Sequence, residues 1–177
     1  MCSRELSGPL ERHLGIVTAA RSLTQVAGRE WQTVLDSNRE ALIRAVDSLT
    51  DEQSRLRLVP SLTTPIGLVK HCAAAERIWF QRTVGGLTES QCDGYARGDD
   101  ESWVVPAEQP PAQVIAEYRA AADRSREIAR TAADDDIFVH YRRGAVTFSW
   151  ICAHMIEELA RHAGHADILV EQISATG

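Results

Sequence analysis

The sequence predicts an all-α protein, a four-helix bundle with long connections. Apolar residues recur with the 3.6-residue helical period in four separate stretches, and no segment sustains the two-residue alternation of a half-buried strand. Two of the gaps between stretches are long, as in bundles whose helices are joined by crossover connections instead of tight turns. The 177 residues suffice for one domain, placed at 28–174, with an N-terminal extension over 1–27.

The first helix spans about Trp31 to Leu49. Trp31, Val34, Leu35, Leu42, Ala45, Val46 and Leu49 form its apolar stripe, while Asp36, Arg39, Glu40, Arg44 and Asp47 face outward. Thr50-Asp51-Glu52-Gln53 reads as a capping box that opens a short helical turn, closed by Pro60. The second helix opens with Thr64 as N-cap and Pro65 as its first residue, where a missing N–H costs nothing. It runs to about Val84, ends at Gly85-Gly86, and turns Leu68, His71, Cys72, Ala75, Ile78 and Trp79 inward. The connection over 85–110 exceeds the roughly 12–15 residues usual for a structureless loop. It either covers a site, with Trp103-Val104-Val105, or is a disordered excursion around Gly94, Gly98 and Asp99-Asp100-Glu101.

The third helix runs from about Pro111 to Thr131 with Val114, Tyr118, Ala121, Ala122, Ser125 and Ile128 inward. Asp134, Asp135 and Asp136, followed by Arg142, Arg143 and Gly144, read as a solvated loop. The fourth and longest helix extends from Thr147, its cap, to about Ile173. Residues 1–25 form either an extra amphipathic helix (Leu6, Leu10, Leu14, Val17) or a loosely attached tail.

Composition narrows the function. Apolar residues make up 44% and charged residues 25%, which excludes a disordered acidic segment, a collagen-like repeat and a small disulfide scaffold. A net charge of −6 argues against nucleic acid as a partner. Cys2, Cys72, Cys92 and Cys152 contain no CxxC pair, so no zinc ribbon or thioredoxin motif is present. No apolar run approaches the roughly 20 residues needed to span a bilayer, and the first 25 residues lack a signal-peptide pattern. The expectation is a cytoplasmic, reduced protein without a membrane segment, monomeric or homodimeric.

The fourth helix carries the chemistry. Taking His154 as zero, Glu158, His162, His165 and Arg161 fall at roughly 40°, 80°, 20° and −20°, one polar stripe beside Ile151, Met155 and Leu169. Ionisable groups along an inward face are costly unless paired or bound to a metal. His154/Glu158 and Glu158/His162 are each one turn apart and can chelate one ion, whereas His154 and His165, roughly 16 Å apart, cannot share one. His71 on the second helix is the candidate third ligand. Two imidazoles and a carboxylate with an open position is the donor set of catalytic zinc and of several non-haem iron sites. Solvated helices also carry Glu–His pairs, so the metal reading rests on His71, the polar stripe and the two-helix geometry together.

The other polar residues have two readings each. His154 and His165 are substrate contacts or pocket-lining groups, and Glu157 is a surface or salt-bridge residue. Arg161 binds a substrate carboxylate or pairs with Glu157. Arg142 and Arg143 meet an anion at the bundle mouth or offset the three aspartates. Trp79 and Trp150 belong to the core, and Gly164 allows close helix approach.

Leu68-Val69-Lys70-His71 and the late run from Glu158 through Arg161-His162 to Gly164 resemble the DinB-like superfamily. These four-helix-bundle metalloproteins include bacillithiol- and mycothiol-dependent transferases and the mycothiol-dependent maleylpyruvate isomerase. Many place HxxxH on the last helix; the isomerase branch places ExxxH there, the version found in this sequence. The segment from Trp31 to Ile173 fits the layout, and residues 1–25 lie outside it. The resemblance implies a divalent metal, zinc first with nickel or iron as alternatives, held by His71, Glu158 and His162. Glu158 and His162 would also serve catalysis, and His154, Arg161 and His165 would bind substrate. It further implies mycothiol or a similar small thiol as co-substrate, acting on a small electrophile by S-transfer or thiol-assisted isomerisation. Two rivals are a non-catalytic metal- or ligand-binding stress protein of the same fold and a metal-free helical interaction module.

Overall fold

The computed structural model describes residues 30–176, so the expectations for residues 1–27 lie outside the described residues. Five α-helices and one short hairpin follow in order. They are α1 (30–47), α2 (Asp51–Ser54), α3 (Pro65–Glu76), α4 (Pro111–Ala129), the hairpin β1 (Ile137–His140) and β2 (Gly144–Thr147), and α5 (Phe148–Thr176). A π-helical segment, Arg77–Val84, continues α3, and 3-10 turns stand at Glu89–Gln91 and Asp100–Trp103. The all-α bundle is confirmed, with α3 packed against both α4 and α5.

Helix starts follow their capping residues. Thr64 Oγ1 accepts from Gly67 N at 3.0 Å, with Pro65 in the first turn. Thr50 and Gln53 close the expected capping box at 3.2 and 3.0 Å, and Thr147 Oγ1 accepts from Trp150 N at 3.2 Å. Gly85 caps the π segment and Gly86, at φ 65°, takes the left-handed turn that favours glycine. The core joins Leu35, Leu42 and Val46 of α1 to Leu68 and Cys72 of α3, Val114 and Tyr118 of α4, and Ile151, Met155 and Leu159 of α5.

Four expectations need correction. Arg39 does not face outward: it is 2% exposed and forms a bidentate pair with the fully buried Glu76, Nε–Oε1 2.7 Å and Nη2–Oε2 2.9 Å. Its place, four residues after Leu35 and three before Leu42, lies on the inner face, and only its charge pointed to solvent. Val34, one step off that face, is exposed instead. Residues 137–147 form an antiparallel hairpin, not an irregular loop, pairing Ile137 with Thr147 and His140 with Gly144. Four-residue strands are too short for alternation to register, and Ile137 and Val139 stay exposed. Gly164 is exposed with open space where a Cβ would lie, so it serves no close approach. Gly67 does: a Cβ there would come within 2.7 Å of the Trp103 carbonyl.

Candidate metal centre

His71 leaves α3 opposite Glu158 and His162, one turn apart on α5. Nε2 of His71 and Nε2 of His162 both approach Oε1 of Glu158, at 3.1 and 3.2 Å. One ligand atom from each residue falls within 4.8 Å of the other two. His162 is buried, and the other two are half-buried. The two imidazoles hold the Glu158 carboxyl well below the usual carboxylate range, His162 contributing most and His71 next, against the opposing effect of burial.

The long connection covers this group. The turn Asp100–Trp103 lays Trp103 flat on His71, ring centroids 3.8 Å apart, and edge-on to His162 at 5.4 Å. Ser102, fully buried, places Oγ 3.0 Å from Nδ1 of His71 and donates to the Asp99 carbonyl at 2.7 Å. A hydroxyl has one hydrogen, so Ser102 accepts from His71, whose hydrogen therefore sits on Nδ1.

Cationic side chains anchor the connection. The π segment buries Arg77 and Gln81 so that both clasp Asp93, at 2.6 and 2.9 Å. Arg82 donates to Ala96 O at 2.7 Å, Arg142 to Gly98 O at 3.3 Å and Lys70 to Val104 O. Arg55 holds Gln109 O at 2.6 Å. Of the two readings left open for 85–110, the structure shows the cover. Ser102, the Arg39–Glu76 pair and the Asp93 clasp were not read from the sequence, since each joins segments far apart in the chain; a tryptophan in a proline-flanked loop was the one available signal.

The remaining polar residues spread out along α5. Arg161 is exposed, pairs with Glu157 and stands 3.6 Å from Oε2 of Glu158. His165 is exposed 5.5 Å from the His162 ring and lines a cavity of about 260 Å³ with Val59, Thr63, Ile168 and Leu169. His154 lies apart from the three ligand atoms. It stacks on Trp150 at 5.1 Å and meets Trp79 at 4.6 Å, and burial holds its pKa down. Trp79 is buried as expected, whereas Trp150 is half-buried.

The donor set suits a cation. Two imidazoles can both donate to one carboxylate oxygen only if each carries a hydrogen on Nε2, and His71 already carries one on Nδ1. A shared divalent ion would take the place of the two Nε2 hydrogens, each imidazole offering it an Nε2 lone pair. A comparison of the sequence with known families matches residues 30–175 to the description mycothiol-S-transferase. The chain belongs to the mycothiol S-transferase family. Membership in this DinB-like family implies a small-molecule thiol as substrate, and the match names transfer, not the isomerisation associated with the ExxxH branch. No curated protein matches the chain significantly. Among the described residues of this family member, no helix is long and apolar enough to cross a membrane.

Proposed function

We propose that the protein is a cytoplasmic, metal-dependent S-transferase that joins mycothiol to a small electrophile at the His71–Glu158–His162 centre. The convergence of two imidazole nitrogens on one carboxylate oxygen, beneath a tryptophan cover, carries this reading. Zinc is the first candidate, and nickel or iron would also accept the donor set. When bound, the cation supplies the Lewis acidity that makes a thiolate available at neutral pH.

The chain's own residues do the rest. His71 and His162 present neutral Nε2 lone pairs, and Glu158 offsets one unit of positive charge. Trp103 and Ser102 exclude water from one side of His71 and hold its ring in place. Arg161, within reach of Glu158, and His165, in the adjoining cavity, contact the thiol substrate. His154, kept neutral by burial and one turn from Glu158, faces the second substrate. With an organic halide the carbon–sulfur bond forms, the halide leaves with the bonding pair, and the thiol proton passes to solvent. The free Cys72, Cys92 and Cys152 support a reduced compartment.

Untagged protein is assayed for metal and incubated with mycothiol and a halide electrophile while free thiol is followed. One zinc per chain and thiol loss faster than with His71→Ala are expected. A metal content below about a tenth per chain, unchanged by added zinc or nickel, refutes the metal centre. Full metal with thiol loss no faster than in His71→Ala leaves a binding protein, not an enzyme.

A further inference from the structure

We infer that the hairpin, the π-helical segment and the first turns of α5 form a second ligand site, which takes the carboxylate of a small aromatic acid. The inference deepens the transferase reading and rests on it, since the acid would be the electrophile. The floor of the site is aromatic. Trp79 and Trp150 lie 5.6 Å apart between ring centroids, His154 touches both, and His140 stacks on Trp79 at 4.1 Å. Trp79 is buried among these rings, while the half-buried Trp150 and His154 leave the open part of the floor against which a planar ring can pack.

The rim offers hydrogen atoms without acceptors. His140 is 5% exposed, and its Nδ1 accepts from the backbone N–H of Arg142 and Arg143 at 3.2 Å each. The ring hydrogen therefore sits on Nε2, which is buried and has no partner among the described residues. A buried donor left unpaired is costly, and a ligand acceptor removes the cost. The exposed Arg143 lays its guanidinium over Trp150 at 4.9 Å and has no ion pair among the described residues. Arg82 and Arg142 flank Tyr141 at 4.6 and 5.2 Å, giving part of their hydrogens to loop carbonyls but none to a carboxylate among the described residues. A carboxylate supplies both the missing acceptor and the missing charge.

The location connects this floor to the metal centre. His71 meets Glu158, and eight residues further on Trp79 meets His154, four residues before Glu158. The two helices therefore run in opposite directions along one groove, and the floor lies roughly 6–12 Å along it from the ligands. A ring on the floor with its carboxylate at Arg143 points its other end toward the thiol.

Benzoate and its neutral isostere benzamide are titrated into zinc-loaded protein, with indole fluorescence as readout and zinc content measured on the same samples. Benzoate is expected to bind about tenfold tighter than benzamide, a preference that falls to within about twofold in Arg143→Gln. It persists in His162→Ala, where the metal centre is dismantled. Equal binding of the two probes, binding of neither, or a preference that survives Arg143→Gln overturns the site. A preference lost in His162→Ala and kept in Arg143→Gln places the carboxylate on the metal and also overturns it. Failure of the parent protein to take up zinc refutes the metal reading instead, and the benzoate comparison in that protein still decides the site.

Discussion

Ser102 decides which nitrogen of His71 faces Glu158. Its hydroxyl gives its only hydrogen to the Asp99 carbonyl at 2.7 Å and takes one from Nδ1 at 3.0 Å, so Nε2 is left to meet Glu158 at 3.1 Å. Partners of this kind typically contribute about 10–100-fold in metal affinity. Ser102→Ala is expected to weaken zinc binding by that order in competition with a chromophoric chelator, with Ser102→Thr restoring most of it. An affinity in Ser102→Ala equal to the parent's would show that the ring needs no such support.

Removing one of the proposed ligands is more severe. His162→Ala and His71→Ala are each expected to lose stoichiometric metal after gel filtration, because two remaining donors cannot hold a labile divalent ion against buffer. His13→Ala, outside the residues 30–175 matched to the family, should keep it. Elemental analysis of the three variants side by side makes the comparison.

Acid sensitivity of the metal-free protein follows from Glu158. Its carboxyl is depressed when folded, so the stability it contributes is complete above the ordinary Glu value of about 4.3 and drains away as pH falls below it. Urea midpoints of metal-free protein measured from pH 6 to pH 3 should therefore fall less steeply in Glu158→Gln than in the parent.

The buried pair Arg39–Glu76 should show strong coupling. Removing either partner strands a charge in the core, at a cost of about 3–5 kcal/mol. Arg39→Met and Glu76→Leu each should lower the urea midpoint sharply, and the double variant should recover most of the loss. Additive losses in a double-mutant cycle would show that the pair is not coupled.

Thiol reactivity tests the core assignment. Burial pushes the Cys152 thiol up to about 12 and the Cys72 thiol well above its ordinary value. In a Cys2→Ser background at pH 8, an aromatic disulfide reagent is expected to titrate at most Cys92 in native protein and all three cysteines in guanidinium. Rapid native labelling of Cys152 would contradict its place in the bundle.

The helices, their caps and the spacing of Glu158 and His162 were legible because they follow from interactions between residues a few positions apart. Thr64, Thr50 and Thr147 cap what they precede, and one turn of α5 sets two donors on one face whatever lies opposite. His71 was found from its place on an apolar face and from a resemblance, and the fold brings it to Glu158. Arg39 shows the limit: its charge led to an outward reading, and only the presence of Glu76, 37 residues on, makes a guanidinium tolerable on the inner face. The cover of Ser102 and Trp103, the clasp on Asp93 and the orphaned nitrogen of His140 depend on where distant segments meet. Local periodicity carries no information about such meetings, because burial and pairing between remote side chains come into being only when the chain packs.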